Sequence, residues 1–539
     1  MNHKTLFIFL QFLLFCIIRV EGQPNIVWQK CLGGTDNDFF RDAIQTSDNG
    51  FITCLYTSSN DGDLAGLTST MGWVIKFDLE FNIQWEKHYS TPDFGNAPLK
   101  VRELNNGQFV FGGNGGIGCK NFHGSTDLFL MKTNSLGDTL WNACFGSFGF
   151  EDFQNFLPTL DGGYLITGVS SSTGGDIPFH YGASSNYDAV ILKTDSIGNL
   201  LWLKNLGGSA DDSPLGNILE IERGYYVVHI GSFSDNYDLA GSGISGDKRW
   251  IIKLDSIGNI VHENIISGTS DFNSFTGEII YNQDKILAVG ASNSGTNIFP
   301  DVSGIGGLYD GGLAVFDDEL NFVDLQVFGG TASDMIKRIE VDDLNNYYLL
   351  GYSYSDDFDL PDNYDNRAES DYWIMKTDEN FNKIWSRNFG GIGDCGELGC
   401  SGFEGNLILK GNMLYAFLKN TVPDVLPSYD IQCGHISTFD EYDGDAWIVA
   451  FDLSTGIQNY FDKNAISIYP NPIFEEFTIE INIPGQYAIS IFDMMGSKVF
   501  TSVTSDLETT LNLSHLASGS YILMMTSNMN NYNLHFIKQ

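Results

Sequence analysis

Pairs of aspartates recur in short loops along the chain and are the clearest candidates for chemistry. Three loops read SSNDGDLAG (58–66), SDNYDLAG (234–241) and SDDFDLPDN (355–363), and a fourth, STGGDIP, occupies 172–178. Carboxylates in such loops can supply oxygen ligands to a calcium ion. The candidate ligands are Asp61, Asp63, Asp235, Asp238, Asp356 and Asp359. No loop has the complete D-x-D-x-D-G…E pattern, and these residue types also cap backbone amides in turns, so both interpretations stay open.

Motifs for other chemistry are weak or missing in the sequence. Residues 113–118 fit G-x-G-x-x-G, but no helical pattern follows them, so we interpret them as a turn and not as a dinucleotide site. The sequence has no G-x-S-x-G and no H-E-x-x-H, and its nine histidines are scattered. A triad assembled in space and a carboxylate pair for glycoside hydrolysis stay open. We therefore assign no catalytic residue, and calcium is the single cofactor that the sequence suggests.

Composition and charge restrict the fold and the partners. The 539 residues include 68 Asp and Glu against 28 Lys and Arg, which gives a formal net charge of −40 at pH 7. A chain this acidic does not bind nucleic acid or anionic lipid through a basic face. The 60 glycines, 13 prolines and 14 % aromatic residues are typical of short strands joined by tight turns. The composition therefore predicts an all-β protein.

Two segments each recur seven times and predict the architecture. One is an apolar strand that usually ends in Lys-x-Asp, and successive copies are 56, 61, 60, 62, 61 and 74 residues apart. The other resembles DGGYLITG (161–168). WIIKLD alternates with a period of two, and the turn DSIGN follows it, so each unit is a meander of about four strands. Seven such units predict a seven-bladed β-propeller over residues 23–463.

The order of strands within the unit predicts how the ring closes and what the repeated residues do. NIVWQKCLGG (25–34) corresponds to the strand that ends the other units, so we expect it to complete the last blade and remove an exposed edge. We expect Trp73, Trp250, Trp373 and Trp447 to pack between blades. We also expect structural contacts between the repeated Lys and the Asp that follows Gly-Gly; these residues are Lys76, Lys132, Lys193, Lys253 and Lys376, with Asp38, Asp212, Asp334 and Asp394.

The N-terminus has the pattern of a secretory signal peptide. Lys4 precedes an apolar run over residues 6–18, and small residues allow cleavage after Gly22. An uncleaved anchor and a lipoprotein at Cys16 are the alternatives, and no later stretch is apolar enough to span a membrane. Export permits disulfides, and with seven cysteines remaining, at least one is unpaired or pairs between chains. Near the last repeat, we expect a local disulfide rather than a metal site among Cys395, Cys400 and Cys433.

Two stretches of the repeat resemble a known family. LGGSADDSPLGNILEIERGYYVVHIGSFS (206–234) and FGGTASDMIKRIEVDDLNNYYLLGYSYSDDFDLP (328–361) are similar to the secreted bacterial β-propeller repeat family. The resemblance covers about residues 25–460. It implies the propeller architecture and no shared catalytic motif.

Residues 464–539 depart from the repeat and predict a small β-sandwich. They resemble the type A sorting domain of the type IX secretion system of Bacteroidetes. The matching features are Tyr469-Pro470-Asn471-Pro472, Gly496-Ser497-Lys498-Val499, residues 516–519 with Tyr521, and Lys538. The resemblance implies handling by the secretion machinery, transport across the outer membrane, removal of the tail, and release or attachment to the cell surface.

Together these features predict a secreted or cell-surface propeller that acts as a non-enzymatic binding or scaffold module. Its partner would be an extracellular glycan or protein. An extracellular glycan-degrading enzyme and a calcium-stabilised adhesin are the alternatives. The predicted organisation is a signal peptide over residues 1–22, the propeller over residues 23–463 and the sorting domain over residues 464–539.

Overall fold

A computed structural model describes most of the chain, and its described residues form two compact units. One unit comprises residues 26–451 and the other contains residues 452–539. The described residues are 23–65, 72–89, 97–267, 277–292, 309–360, 370–390, 405–420, 430–435, 444–454, 466–469, 473–474, 476–481, 487–493, 498–517, 519–526 and 531–538. The predicted signal peptide and the predicted boundary at residue 463 lie outside these ranges. No helix within them is long and apolar enough to cross a membrane.

Seven four-stranded antiparallel sheets make up the first unit, and we number them as blades 1 to 7 in chain order. The inner strands are Asp38–Gln45, Ala97–Glu103, Glu151–Pro158, Asp212–Glu222, Ile279–Asn282, Asp334–Val341 and Asn406–Lys410. The second strands are Phe51–Thr57, Phe109–Gly115, Tyr164–Ser170, Tyr225–Ser232, Lys285–Ser292, Tyr347–Ser353 and Met413–Asn420. The third strands are Gly72–Phe77, Asp127–Thr133, Asp188–Thr194, Lys248–Leu254, Asp310–Asp317, Asp371–Thr377 and Asp445–Asp452. The outer strands are Ile83–Tyr89, Thr139–Phe145, Leu200–Leu206, Ile260–Ser267, Phe322–Phe328, Lys383–Phe389 and, for blade 7, Asn25–Leu32.

The blades form a closed ring, as the sequence predicts. Each inner strand contacts the next blade, and the inner strand of blade 1 contacts the inner and second strands of blade 7. The N-terminal strand Asn25–Leu32 pairs with Asp445–Asp452 and completes blade 7. Two 3-10 turns, Gly62–Leu64 and Tyr237–Leu239, lie between the second and third strands of blades 1 and 4. The fold is therefore a seven-bladed β-propeller closed by its N-terminal strand.

The core lies between the blades, where the second and third strands are covered on both faces. The four repeated tryptophans are buried there, as expected, and their indole N–H groups have acceptors. Trp73 donates to Glu86 over 3.0 Å, and Trp250 donates to Glu263 over 2.8 Å. A buried indole needs such a partner because an unpaired N–H would cost free energy. The tryptophan column is thus part of the scaffold.

The repeated lysines have different partners from the predicted ones. Lys76 pairs with Asp48 at 2.8 Å and Lys193 with Asp161 at 3.0 Å, and both aspartates lie in the turn between the inner and second strands. The Asp after Gly-Gly starts the inner strand, at the opposite end of the blade from the lysines, because neighbouring strands run antiparallel. The predicted contact was therefore wrong for these lysines, and Asp394 lies outside the described residues.

Among the described residues, two disulfides connect parts of the propeller. Cys31 of the N-terminal strand bonds Cys433 across a sequence separation of 402 residues, and Cys119 bonds Cys144 within blade 2. Cys54 is buried and has a free thiol. A local disulfide within the last repeat was expected, but Cys433 reaches the N-terminal strand instead. Cys395 and Cys400 lie outside the described residues.

The second unit contains two further sheets. One has the strand order Ile466–Tyr469, Glu476–Ile481 and Glu508–Asn512. The other has the order Lys498–Thr504, Tyr487–Asp493, Gly519–Thr526 and Asn531–Lys538. Buried residues of both sheets, such as Ile479 and Leu523, form one hydrophobic cluster. This arrangement confirms the predicted small β-sandwich.

Candidate functional site

The first candidate site is the central channel of the propeller. A cavity of about 920 Å³ lies along it and is lined by residues from the inner edge of all seven blades. Each blade places at least one polar residue at the cavity. We choose one from each blade and call this set the polar ring; its members are Asp42, Lys100, Asn155, Asn217, Glu278, Arg338 and Asn406. An inner strand has one edge without a neighbouring strand, so its backbone groups need other partners.

The polar ring supplies those partners from one blade to the next. Asp42 accepts from the backbone N–H of Val101 over 2.9 Å, and Asn217 accepts from that of Ile279 over 2.7 Å. In the same way Asn406 donates to the carbonyl of Ala43 over 2.8 Å, which links blade 7 to blade 1. The polar residues of the channel therefore join adjacent blades as well as lining the cavity.

One carboxylate of the ring faces two cations. The buried carboxylate of Asp42 lies 2.7 Å from Nη1 of Arg102 and 4.0 Å from Nζ of Lys100. Burial alone would raise the pKa of Asp42, but Arg102 and then Lys100 outweigh it and hold the pKa below its ordinary value. Two cations therefore face one ionised carboxylate at this point of the channel lining.

Two glutamates on the other side of the channel are hard to ionise. Burial, followed by the charge of Glu278, raises the pKa of Glu340 to about 8. Burial also raises the pKa of Glu278, against the opposing effect of Arg338. Glu340 is therefore mostly protonated at neutral pH and can donate a hydrogen bond into the cavity. Nearby, burial lowers the pKa of Lys337 to about 8.

Arg41 adds a cation that stacks on aromatic rings. Its guanidinium carbon lies 4.6 Å from the ring centre of Phe39 and 5.7 Å from that of Tyr56. The backbone carbonyl of Arg41 accepts a hydrogen bond from Lys100 of the polar ring over 3.0 Å. Stacking on two rings holds the guanidinium in a set orientation beside the cavity that Arg41 lines.

The six calcium candidates do not converge on one centre. Asp61 accepts from the backbone and hydroxyl of Thr35, and Asp63 accepts from the backbone N–H of Gly33 over 3.2 Å. Asp238 accepts from Gly207 over 3.0 Å. These loops thus hold the Gly-Gly turn that precedes each blade.

The remaining candidates lie in ion pairs or near them. Asp235 pairs with Lys248 at 2.5 Å and Asp359 with Lys383 at 2.8 Å, while Asp356 lies in the same loop as Asp359. Within the part of the chain that the structure describes, no group of three or more His, Cys, Asp or Glu side chains is arranged to hold a metal ion. Calcium binding by the six residues stays a prediction.

A second set of titratable groups consists of buried carboxyl pairs at blade junctions. In each pair, the acid that starts a third strand faces the acid that starts the next inner strand. The pairs are Asp445 with Asp38, Asp127 with Glu151, Asp188 with Asp212 and Asp310 with Asp334. Within the described residues, one oxygen of Asp38, Asp127, Asp188, Asp212 and Asp310 has no hydrogen-bond partner.

A glycine lies between the two acids of a pair. A Cβ at Gly33 would approach a carboxylate oxygen of Asp38 to 2.4 Å and one of Asp445 to 2.8 Å, so no larger residue fits. Burial, together with the charge of Asp334, raises the pKa of Asp310 to about 7. Burial likewise raises the pKa values of Asp334, Asp188 and Asp445 to about 6. These carboxyl groups therefore bind their protons more tightly in the folded protein than in the unfolded chain.

Comparison with known protein families identifies the C-terminal domain of the chain. Residues 467–539 match the family model described as the secretion system C-terminal sorting domain. A comparison with curated protein sequences gives no match. The match to the tail confirms the predicted sorting domain.

Solved structures resemble this chain only distantly. PorZ, a surface component of the type IX secretion system of Porphyromonas gingivalis, aligns over 97 % of this chain and 88 % of its own, at 9 % identity and a TM-score of 0.28. Phage phi92 endosialidase aligns over 95 % and 87 %, at 10 % identity and a TM-score of 0.36. The extracellular domain of a putative hybrid two-component system from B. thetaiotaomicron aligns over 93 % and 68 %, at 9 % identity and 0.32. At TM-scores this low, the similarity gives no information about the function of this chain.

The sorting domain determines where the protein acts. A chain with this tail is exported by the type IX secretion system and reaches the cell surface or the medium. Whatever the channel binds is therefore extracellular.

Proposed function

We propose that this exported protein is a non-enzymatic binding module whose propeller takes an acidic segment of an extracellular glycan into its central channel. The charge of the channel lining supports the proposal. Four cations line the cavity together with four acids, namely Arg41, Lys100, Arg102 and Arg338 with Asp42, Asp152, Glu278 and Glu340. Over the whole chain the ratio is 28 basic to 68 acidic residues.

Protonation makes the channel more positive than this count suggests. Because the pKa of Glu340 is raised to about 8, it carries little charge at pH 7, so the cations outnumber the ionised carboxylates. Guanidinium groups bind carboxylates and sulfates through paired hydrogen bonds. A cavity of about 920 Å³ has the size of a pocket for a few sugar units and not for a folded domain. An acidic oligosaccharide fits both the charge and the volume.

A glycan array that carries neutral, uronate-containing and sulfated oligosaccharides tests the proposal. We expect the secreted protein to bind acidic glycans and the binding to weaken as ionic strength rises. Arg41→Ala should weaken this binding by about 10- to 100-fold because a charge-assisted contact is lost while the polar ring stays intact. Lys87→Ala is the matched control, since Lys87 lies on an outer strand and pairs with Asp138. Binding to neutral glycans alone, or binding that salt does not change, would contradict the proposal for the channel.

A glycan-degrading enzyme is the second candidate function, and the two channel glutamates favour it. A glycosidase needs one protonated and one ionised carboxyl group, and Glu340 has the raised pKa of a general acid. The assay is the release of reducing ends from each glycan that the array identifies as a ligand. Release that Glu340→Gln abolishes while leaving binding intact would favour the enzyme. We expect binding without release.

A further inference from the structure

Two loops of the propeller expose an aromatic side chain from a backbone conformation that favours glycine. Tyr237 has a φ of 53° and is 57 % exposed, and Phe358 has a φ of 51° and is 65 % exposed. Gly62 occupies the equivalent position in blade 1, with a φ of 56°. Left-handed backbone is costly for a bulky residue and easy for glycine, and exposed rings gain little from packing. Burial in the core therefore does not account for these aromatic residues, which points to a function.

The loop that carries Tyr237 is fixed by hydrogen bonds on both sides of it. Asn236 accepts from the backbone N–H of Ser209 over 2.9 Å, and Asp238 accepts from that of Gly207 over 3.0 Å. Both bonds attach the loop to the turn that leads into blade 4. The ring of Tyr237 is thus presented in a set position before any ligand arrives, which lowers the ordering cost of binding.

Tyr237 belongs to a group of rings that crosses from blade 4 to blade 3. Tyr181 stacks on it with ring centres 4.6 Å apart, and Phe179 meets Tyr181 edge-on at 5.2 Å. We call these three residues the aromatic platform. The backbone N–H of Tyr181 donates to Asp188 over 2.6 Å, which anchors the loop of blade 3.

Exposed rings are concentrated around this platform. Among the described propeller residues eight Phe and Tyr side chains are exposed, and six of them lie within residues 148–187 and 233–237. Phe150 and Tyr187 form a neighbouring pair with ring centres 6.2 Å apart. A cluster of exposed aromatic residues on a soluble protein marks an interaction surface.

The charges around the platform select among partners. Residues 146–150, 171–187, 207–211 and 233–247 contain five aspartates and no Lys or Arg. The adjacent buried Lys248 and Arg249 pair with two of these aspartates, Asp235 and Asp247, so three carboxylates exceed the cations among the described residues here. An anionic ligand is therefore disfavoured, in contrast to the channel. A sugar ring offers an apolar C–H face that stacks on an aromatic ring and hydroxyl groups that donate to carboxylates such as Asp238. Rings separated by polar acceptors match this alternation better than they match a continuous apolar protein surface.

We infer that the aromatic platform formed by Phe179, Tyr181 and Tyr237 is a binding surface for a neutral polysaccharide. It is separate from the channel and does not depend on the function proposed there. The strained, exposed Tyr237 supplies the central stacking ring. Phe358 offers an equivalent ring on blade 6.

Affinity electrophoresis of the secreted protein in gels containing β-glucan, xyloglucan or galactomannan tests this inference. We expect at least one of these polysaccharides to retard the protein. Tyr237→Gly should weaken retardation about tenfold or more, because a stacking ring is lost. The same substitution should leave the melting temperature unchanged or raise it, because glycine suits a φ of 53°. Loss of binding without loss of stability would separate a binding role from a structural one.

Two further variants complete the test. Tyr181→Ala should also weaken retardation, whereas Tyr225→Ala should not, since Tyr225 is exposed at the start of a second strand and lies beside Lys253. Neutral polysaccharide should retard the Arg41→Ala variant as much as the wild type. A failure of the channel proposal would therefore leave the test of the aromatic platform unaffected. No retardation by any of the three polysaccharides, or equal retardation of wild type and Tyr237→Gly, would overturn the inference.

Discussion

Removing the disulfide between Cys31 and Cys433 should destabilise the propeller more than removing the one between Cys119 and Cys144. In the chain-entropy model, a cross-link over 402 residues restricts the unfolded chain by about 6 kcal/mol, against about 3.5 kcal/mol for one over 25 residues. The long-range bond also holds the N-terminal strand on the outer edge of blade 7. Without it, that strand can leave and expose the edge of Asp445–Asp452.

The experiment compares two matched double variants, Cys31→Ser with Cys433→Ser and Cys119→Ser with Cys144→Ser. Urea unfolding gives the free energy of unfolding of each, measured without reductant at equal protein concentration. We expect the first variant to lose about 2–3 kcal/mol more than the second. Wild type with a reductant should fall below both, since both bonds are then broken. Equal losses for the two variants would contradict ring closure as the source of the effect.

The disulfide also illustrates what the sequence can and cannot predict. The seven repeats predict seven blades because every unit must bury the same two faces, and NIVWQKCLGG lacks a unit of its own, so it must complete the last blade. Cys31 and Cys433 thereby belong to one blade. The prediction of a local disulfide missed this consequence, because it considered which cysteines are close in sequence and not which are close in the closed ring.

The channel residues escaped prediction for a different reason. Asp42 and Arg102 meet across a blade boundary, 60 positions apart, and an inner strand does not reveal from its own pattern whether its polar residues face solvent or a channel. A usable signal does exist. Asp42, Asn155 and Arg338 each follow by four positions the acid that starts their inner strand, so an alignment of the repeats on that acid would have shown a polar column.

For the acidic loops, in contrast, the sequence pattern was recognised but the function of its aspartates was not determined. Asp61, Asn236 and Asp357 occupy the same position in three loops and accept from the residue after Gly-Gly. Such contacts link two turns distant in sequence. The sequence alone suggested that these residues either form a turn within the loop or bind calcium. It did not indicate a hydrogen bond between two turns that are distant in sequence.

Mild acid should stabilise the propeller, which is the reverse of ordinary acid denaturation. A carboxyl group whose pKa is raised in the folded state binds its proton more tightly there than in the unfolded chain. The pKa of Asp310 is raised to about 7 and that of Asp188 and Asp445 to about 6, from 3.8. As the pH falls from 8 to 5, the folded state takes up protons that the unfolded state does not bind. Stability therefore rises through this window.

The size of the effect follows from counting one proton per pair. Between pH 8 and pH 5 a folded pKa of about 6 contributes on the order of 1 kcal/mol and one of about 7 on the order of 3 kcal/mol. The pairs of Asp188, Asp310 and Asp445 together give roughly 5 kcal/mol. Below about pH 4 the unfolded acids also protonate and the gain ends. Hydrogen bonds and lysine partners lower the pKa values of Asp48 and Asp161 to about 2. As the pH falls from about 4 towards 2, these two aspartates lose their ion pairs.

Urea unfolding at several pH values measures this dependence, and amide variants identify its source. Asp310→Asn should be more stable than wild type at pH 8 and should show a smaller gain on acidification, because the amide removes both the carboxyl group whose pKa is about 7 and its repulsion with Asp334. Asp324→Asn is the matched control, since Asp324 is exposed on the outer strand of the same blade. It removes the same charge from a chain of net charge −40, so relief of general repulsion would affect both variants alike. If the two variants show the same pH slope, the buried pairs are not the source of that slope. If Asp310→Asn alone flattens it, the buried carboxyl groups at the blade junctions are the source.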